Sequence, residues 1–204
     1  MKIPDTPKFD SEQATAWFIS KLLHCKTYLE WGAGGSTYLA AQHHIPFIAV
    51  ESDQDFLHTL KEKIAADGFS EPDRQTFIYA NIGLTKVWGY PIVIGAMSQK
   101  RQLLFKRYSD FPVIHNPGPF PDLILVDGRF RVACALKAFK ALNAIQHDWL
   151  LLVDDYVDRL VYHEIEKFGK LAGFVGRMAV FDGVNIAALP ELDQAIAAYE
   201  LDYR

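Results

Sequence analysis

Four short apolar runs in this chain end in residues that can do chemistry. Tyr28-Leu29-Glu30-Trp31 runs into Gly32-Ala33-Gly34-Gly35-Ser36-Thr37, and Phe47-Ile48-Ala49-Val50 ends in Glu51-Ser52-Asp53. Leu123-Ile124-Leu125-Val126 ends in Asp127-Gly128, and Leu150-Leu151-Leu152-Val153 ends in Asp154-Asp155. A glycine turn lets backbone come close to a ligand, and the helix after it offers free N–H groups. The dinucleotide pattern GxGxxG would need a third glycine at position 37, where Thr37 stands. Glu30, two residues ahead of the first glycine, would repel a pyrophosphate and suits an ammonium group. That charge favours a cofactor carrying an amino acid over NAD.

The other acids suggest further chemistry. Asp127, Asp154 and Asp155 close two runs expected to be neighbours, and converging carboxylates need a cation, a proton or a basic side chain between them. Hard oxygen ligands suit a divalent ion such as magnesium. Arg129, Arg131 or Arg159 could equally supply the counter-charge to separate, helix-capping or solvated acids. For a hydroxyl substrate, Asp127 or Asp154 could serve as proton acceptor, with His115 as another candidate.

These residues must be held by alternating strands and helices. A leading helix over 11–25 puts Ala14, Trp17, Phe18, Leu22 and Cys25 on one face, capped by Asp10 or Ser11. Strands are expected at 27–31, 47–50, 75–80, 122–126 and 149–153, with helices after the glycine turn, before Gly68, over 131–144 and over 158–171. The strands are continuous apolar runs, as in a parallel sheet covered on both faces. Asp182-Gly183 reads as the turn of a closing hairpin between strands 174–181 and 184–189. The expected fold is therefore α/β: a Rossmann-like three-layer α/β/α sandwich whose mostly parallel seven-stranded sheet takes one antiparallel strand from a C-terminal hairpin. The chain reads as a single domain over 1–204. An aromatic and basic insert at about 82–121 breaks the rhythm and is a place for acceptor binding or a lid. Its Trp88-Gly89-Tyr90-Pro91 could wall a ring, and Lys100, Arg101, Lys106 and Arg107 could meet an acidic group; the same residues also suit packing and a solvated helix face.

The arrangement Glu30-x-Gly32-x-Gly34-x-Ser36-Thr37, with this order of elements, resembles the first motif of the class I S-adenosylmethionine-dependent methyltransferases over nearly the whole chain. The resemblance implies that Gly32 and Gly34 contact the methionine part of the cofactor, that Ser36 belongs to the cofactor-binding set, and that Glu30 receives the amino group directly or through water. It implies Glu51 on the ribose hydroxyls, Ser52 beside the adenine, and Asp127 at the sulfonium. Asn81 stands where that family often has an aspartate reading the adenine edge; a turn role competes there. A narrower likeness to the metal-dependent O-methyltransferases implies a divalent ion at Asp127, Asp154 and Asp155. Asp154-Asp155-Tyr156-Val157-Asp158-Arg159 is similar to the fifth-strand end of polysaccharide-type O-methyltransferases. The implied activity is methyl transfer to a small hydroxylated or saccharide acceptor.

Composition narrows the alternatives. Across 204 residues, half hydrophobic, the net charge is −4, which gives no electrostatic reason to bind nucleic acid. No apolar run reaches the roughly 18 residues that span a bilayer. The polar, proline-containing start does not read as a signal peptide, and two distant cysteines, Cys25 and Cys134, read as buried thiols in a reducing cytoplasm. Two rivals share the fold: a NAD-dependent oxidoreductase, disfavoured by Glu30 and Thr37 and by the lack of a Tyr-x-x-x-Lys pair, and a non-catalytic module for a nucleoside-type ligand or partner. Both carboxylates, Glu30 and Glu51, are expected to face one shared hollow.

Overall fold

The computed structural model describes residues 2–112 and 120–204. Its centre is a seven-stranded sheet of order β3-β2-β1-β4-β5-β7-β6. The strands are β1 Tyr28–Trp31, β2 Phe47–Glu51, β3 Gln75–Tyr79, β4 Leu123–Val126, β5 Leu150–Val153, β6 Gly169–Val175 and β7 Met178–Val184. β1 to β5 pair in parallel, and β7 enters antiparallel between β5 and β6. Strand order reverses between β1 and β4, so the carboxyl ends of these two strands flank the crevice where ligands bind in open α/β sheets.

Helices cover both faces. α1 Glu12–Leu22, α2 Gly35–Gln42 and α3 Gln54–Ala66 follow the sequence pattern, and α1 starts where the Ser11 hydroxyl accepts from Ala14 N at 3.1 Å. They pack over Tyr28, Phe47, Ala49, Leu123 and Leu125. On the other face α4 Gln99–Tyr108, α5 Arg131–Leu142 and α7 Leu189–Tyr199 cover Leu29, Trp31, Val50, Ile124 and Val126. Successive strand residues alternate between these faces, so Tyr28 and Glu30 share the α2 side while Trp31 points toward α4. At the amino edge, both Asp122 carboxylate oxygens accept from Lys26 N at 2.9 and 3.1 Å, and Oδ1 also accepts from Thr27 N at 3.0 Å. That contact fixes where β1 begins against β4.

The C-terminal third departs from expectation. The helix read over 158–171 is a 3₁₀ turn, Leu160–Glu164, and a short α6, Ile165–Phe168, before β6 begins at Gly169. The hairpin turns at Gly176-Arg177, where Val175 pairs with Met178 and Gly176 supplies φ +59°, as a two-residue loop requires. Asp182-Gly183 lies inside β7, with Gly183 opposite Lys170. Pairing with β5 decides this: Val153 faces Ala179 and Leu151 faces Phe181, which carries β7 past the local turn signal. The strand expected at 184–189 ends at Val184, and α7 follows with its buried Leu192 and Ile196. Cys25 lies just past α1 and Cys134 within α5; both are free thiols whose pKa burial pushes up, for Cys25 to about 12. Among the described residues no helix is long and apolar enough to cross a membrane.

Replacing Asp122 by Ala leaves two backbone donors without their acceptor. The expected loss is about 1–2 kcal/mol, seen in urea unfolding as a lower midpoint at unchanged slope.

Candidate functional site

The strand register sets the carboxyl edge. Gly32 N donates to Val50 O at 2.9 Å, Ala80 N to Glu51 O at 2.8 Å, Asp127 N to Trp31 O at 2.9 Å and Asp154 N to Val126 O at 3.1 Å. Each ladder thus runs to the end of its strands, and Asn81, Glu51, Gly32, Asp127 and Asp154 stand in that order along one edge. Glu51 and Asp127, two strand spacings apart, are separated by roughly 10 Å at the backbone.

The three glycines of the turn meet different surroundings. Gly32 has φ +100°, and a β-carbon there would lie 2.7 Å from Gly128 N and 2.9 Å from the Asp127 carbonyl carbon; the ends of β1 and β4 touch through it. Gly35 packs beneath the N-terminal segment, 2.5 Å from Thr6 O by the same measure, rather than against a strand. Gly34 alone faces open space, with nothing within 4 Å of a β-carbon position.

Glu30 is fully buried. Its carboxylate accepts from the hydroxyls of Tyr28 at 2.9 Å, Ser36 at 2.5 Å and Thr37, and Thr37 Oγ1 accepts in turn from Gly34 N at 2.9 Å. Ser36 and Thr37, at the start of α2, thereby lock the turn to the strand before it. Burial raises the Glu30 pKa to about 7, and the three hydroxyls only partly oppose that rise. Glu30 is thereby held against α2 by three hydroxyls.

Glu51 is held by a different set of donors. Its Oε1 accepts from Ser52 N at 2.6 Å and Asp53 N at 2.8 Å at the entry to α3, while Oε2 meets no protein donor among the described residues. Burial raises its pKa against those backbone bonds. Ser52 is buried beside it, with Oγ 3.3 Å from the same Oε1. Asn81 is exposed; its Oδ1 accepts from Gly83 N at 2.8 Å, a turn contact. Asn81 also lines a hollow of about 400 Å³ with Val50, Ile78, Arg107, Tyr108 and Phe111.

The acids on β4 and β5 meet arginines. Arg131, 3% exposed, donates to the backbone carbonyls of Gly128 at 3.0 Å, Asp127 at 3.0 Å and Asp154 at 2.5 Å. It pairs with the Asp127 carboxylate at 2.9 Å and lies 3.6 Å from that of Asp155. Asp155 also pairs with Arg159 at 2.8 Å and Arg177 at 3.0 Å. This donor set does not fit a divalent ion: guanidinium groups already neutralise two of the three acids. Among the described residues no group of three or more His, Cys, Asp and Glu could hold a metal. Asp158 lies 3.8 Å from Arg177.

Asp154 differs from its neighbours. Among the described residues no cation lies within ion-pair distance of its carboxylate, and burial, with the nearby Asp127 charge, raises its pKa to about 7. Desolvation also raises the Asp127 pKa and Arg131 opposes the rise; with 38% of that side chain exposed, the ion pair governs and Asp127 is the ionised member.

The insert shapes the rest of the edge. Residues 84–92 form a small excursion closed by Ile92 N to Leu84 O at 2.8 Å and Lys86 N to Tyr90 O at 2.7 Å. Arg101, from the basic run, braces it through Ile92 O at 2.6 Å and Leu84 O at 3.2 Å, and Lys106 pairs with Glu200 at 3.1 Å. Trp88 is 84% exposed at the tip. Gly89 sits on the end of β2: a β-carbon there would be 2.7 Å from Ser52 Oγ. Tyr90 lies under the Arg129 guanidinium, 4.2 Å from the ring centre. His115 lies outside the described residues. Sequence reasoning named Arg129 only as a counter-charge and overlooked Gly128, which a β-carbon would drive into the Tyr108 hydroxyl; the Asp-Gly-Arg run after an apolar strand was the available signal.

Glu30 makes stability depend on pH. Folded Glu30 keeps its proton to about pH 7, whereas its ordinary value is 4.5. Between those values the folded state binds the extra proton, so stability falls as pH rises through that window and levels above it. The shift corresponds to about 3 kcal/mol. Urea midpoints of Glu30→Gln should lose this share of the slope relative to the parent; the share due to Asp154 remains in both chains and cancels in the comparison.

No known family profile matches the chain, nor does any curated protein. A solved methyltransferase-like protein from Silicibacter pomeroyi is similar at 29% identity over 95% of this chain and 98% of its own, with a TM-score of 0.70. A provisionally assigned methylase from Haemophilus influenzae shares the fold at 14% identity, over 88% of this chain and 91% of its own, with a TM-score of 0.51. The chain has the class I S-adenosylmethionine-dependent methyltransferase fold.

Proposed function

We propose that this protein is a methyltransferase that uses S-adenosylmethionine to methylate a hydroxyl of a small or saccharide acceptor. The observation that carries the reading is Gly34. It is the one glycine of the turn that faces open space, at the switch point of the sheet. The methyltransferase-like neighbour from Silicibacter pomeroyi supports the same reading over nearly the full chain.

The residues present fit the cofactor. Gly32 and Gly34 would let the backbone approach its methionine part, and the free Oε2 of Glu51 would take ribose hydroxyls. The hollow beside Asn81 would take the base. Ser36 and Glu30 act from behind, holding the turn. When bound, the cofactor supplies an activated methyl group and its own leaving group. The chain's part is to align an acceptor and take its proton. Asp154 suits that task, because a base titrating near 7 is both available and strong enough at neutral pH. Asp127, pinned by Arg131, supplies a fixed negative charge facing the sulfonium region. The chain is read as a single domain whose 82–121 insert acts as acceptor wall or lid over the ends of β1, β2 and β4.

Calorimetry with S-adenosylhomocysteine tests the cofactor. Gly34→Val should weaken binding at least about tenfold, roughly the 1.4 kcal/mol of one decade, at an unchanged melting temperature. A parent chain that binds NAD and neither adenosyl compound would sink the proposal. With an acceptor in hand, kcat should rise with pH to a plateau above about pH 7. Asp154→Asn should lower it about 10²-fold or more and flatten that profile.

A further inference from the structure

Arg129 follows Asp127-Gly128 at the end of β4, with 7% of its surface exposed. Its Nε and Nη1 are buried without a hydrogen-bond partner, and no carboxylate pairs with it among the described residues. A buried cation with unpaired donors is costly, and structures tolerate one mainly where something else requires it. Its neighbours at this edge obey the ordinary rule: Arg131, Arg159 and Arg177 all meet carboxylates.

The group is also held in place. Arg129 N donates to the Tyr108 hydroxyl at 3.1 Å, from α4. The guanidinium lies over Tyr90, from the excursion in the insert. Around the β-carbon position of Gly89, Ser52 Oγ is at 2.7 Å, and Arg129 Cγ and Glu51 Oε1 are both at 3.9 Å. The side chain therefore runs from the end of β4 toward the end of β2, across the edge where Gly34 opens.

We infer that Arg129 is a carboxylate-binding residue, pairing its unpartnered donors with a carboxylate of a ligand seated on this edge. A guanidinium that cannot lose its proton suits this, and its donors match carboxylate oxygens. Two sources share the chemistry: the amino-acid tail of the cofactor and an acidic group on the acceptor. Only this choice of sources rests on the methyltransferase reading.

Arg129→Met keeps the stem over Tyr90 and removes the charge, and Arg129→Lys keeps the charge. Without ligand, the Met variant should melt higher than the parent, because an uncompensated buried charge is gone. Full-length parent and variants are titrated calorimetrically with two probe pairs: S-adenosylhomocysteine against 5′-methylthioadenosine, which lacks the amino-acid tail, and D-galacturonate against D-galactose. A loss of tenfold or more in the Met variant for one carboxylate-bearing member, with its uncharged counterpart unaffected and partial recovery in the Lys variant, supports the inference and names the source. Affinities for both carboxylates unchanged in the Met variant overturn it, as does a parent that binds neither. A parent that responds to galacturonate but to neither adenosyl compound overturns the methyltransferase reading alone.

Discussion

The carboxyl edge of this sheet depends on one buried guanidinium. Arg131 grips the backbone carbonyls of Asp127, Gly128 and Asp154 and pairs with the Asp127 carboxylate. Parallel strands leave carbonyls and strand-end acids crowded at one edge, and five fixed donors in a plane can satisfy several of them at once. A lysine offers a more compact charge and could not reach three carbonyls and an acid in that geometry. With Arg131 in place, β4 and β5 end at a set height, Asp127 stays charged, and Asp154 is left as the acid with a raised pKa. Together with Arg159 and Arg177 it neutralises two of the three neighbouring acids.

A second lock works on the opposite side of β1. Glu30 joins the hydroxyls of Tyr28, Ser36 and Thr37, so the turn between strand and helix is held from behind while Gly34 remains open in front. The two locks divide the work. One fixes the backbone that a ligand would approach, and the other fixes the acids that would face its reactive end. Between them the insert supplies a wall through Gly89, Tyr90 and Tyr108, and Arg129 lies against that wall.

Much of the fold was legible from local patterns. Continuous apolar runs ending in acids located β1, β2, β4 and β5, and the Ser11 and Asp53 caps marked where α1 and α3 begin. The C-terminal third was not. Asp182-Gly183 is a strong local turn signal, yet register with β5 carried the strand through it and gave the turn to Gly176-Arg177. α7 begins at an alanine cap with no side-chain hydrogen bond, and its local start signals, Pro190 and Glu191 in the first turn, were masked by the strand expected over 184–189; the helix packs on α5. Glu30 was read for its charge alone, and the structure adds the three hydroxyls that hold its carboxylate.

The order of residues alone determined the alternating layout, the glycine turn and the placing of Glu51, Asp127 and Asp154 at strand ends, because periodicity and turn chemistry are local properties. Tertiary structure decided which of those groups are available. Whether a carboxylate is locked by hydroxyls, neutralised by an arginine or left with a raised pKa depends on how other elements pack against it, such as Thr37 of α2 for Glu30 and Arg177 of the closing hairpin for Asp155. Burial then sets the charge, since the cost of an ion depends on how much water and how many partners the folded chain leaves around it.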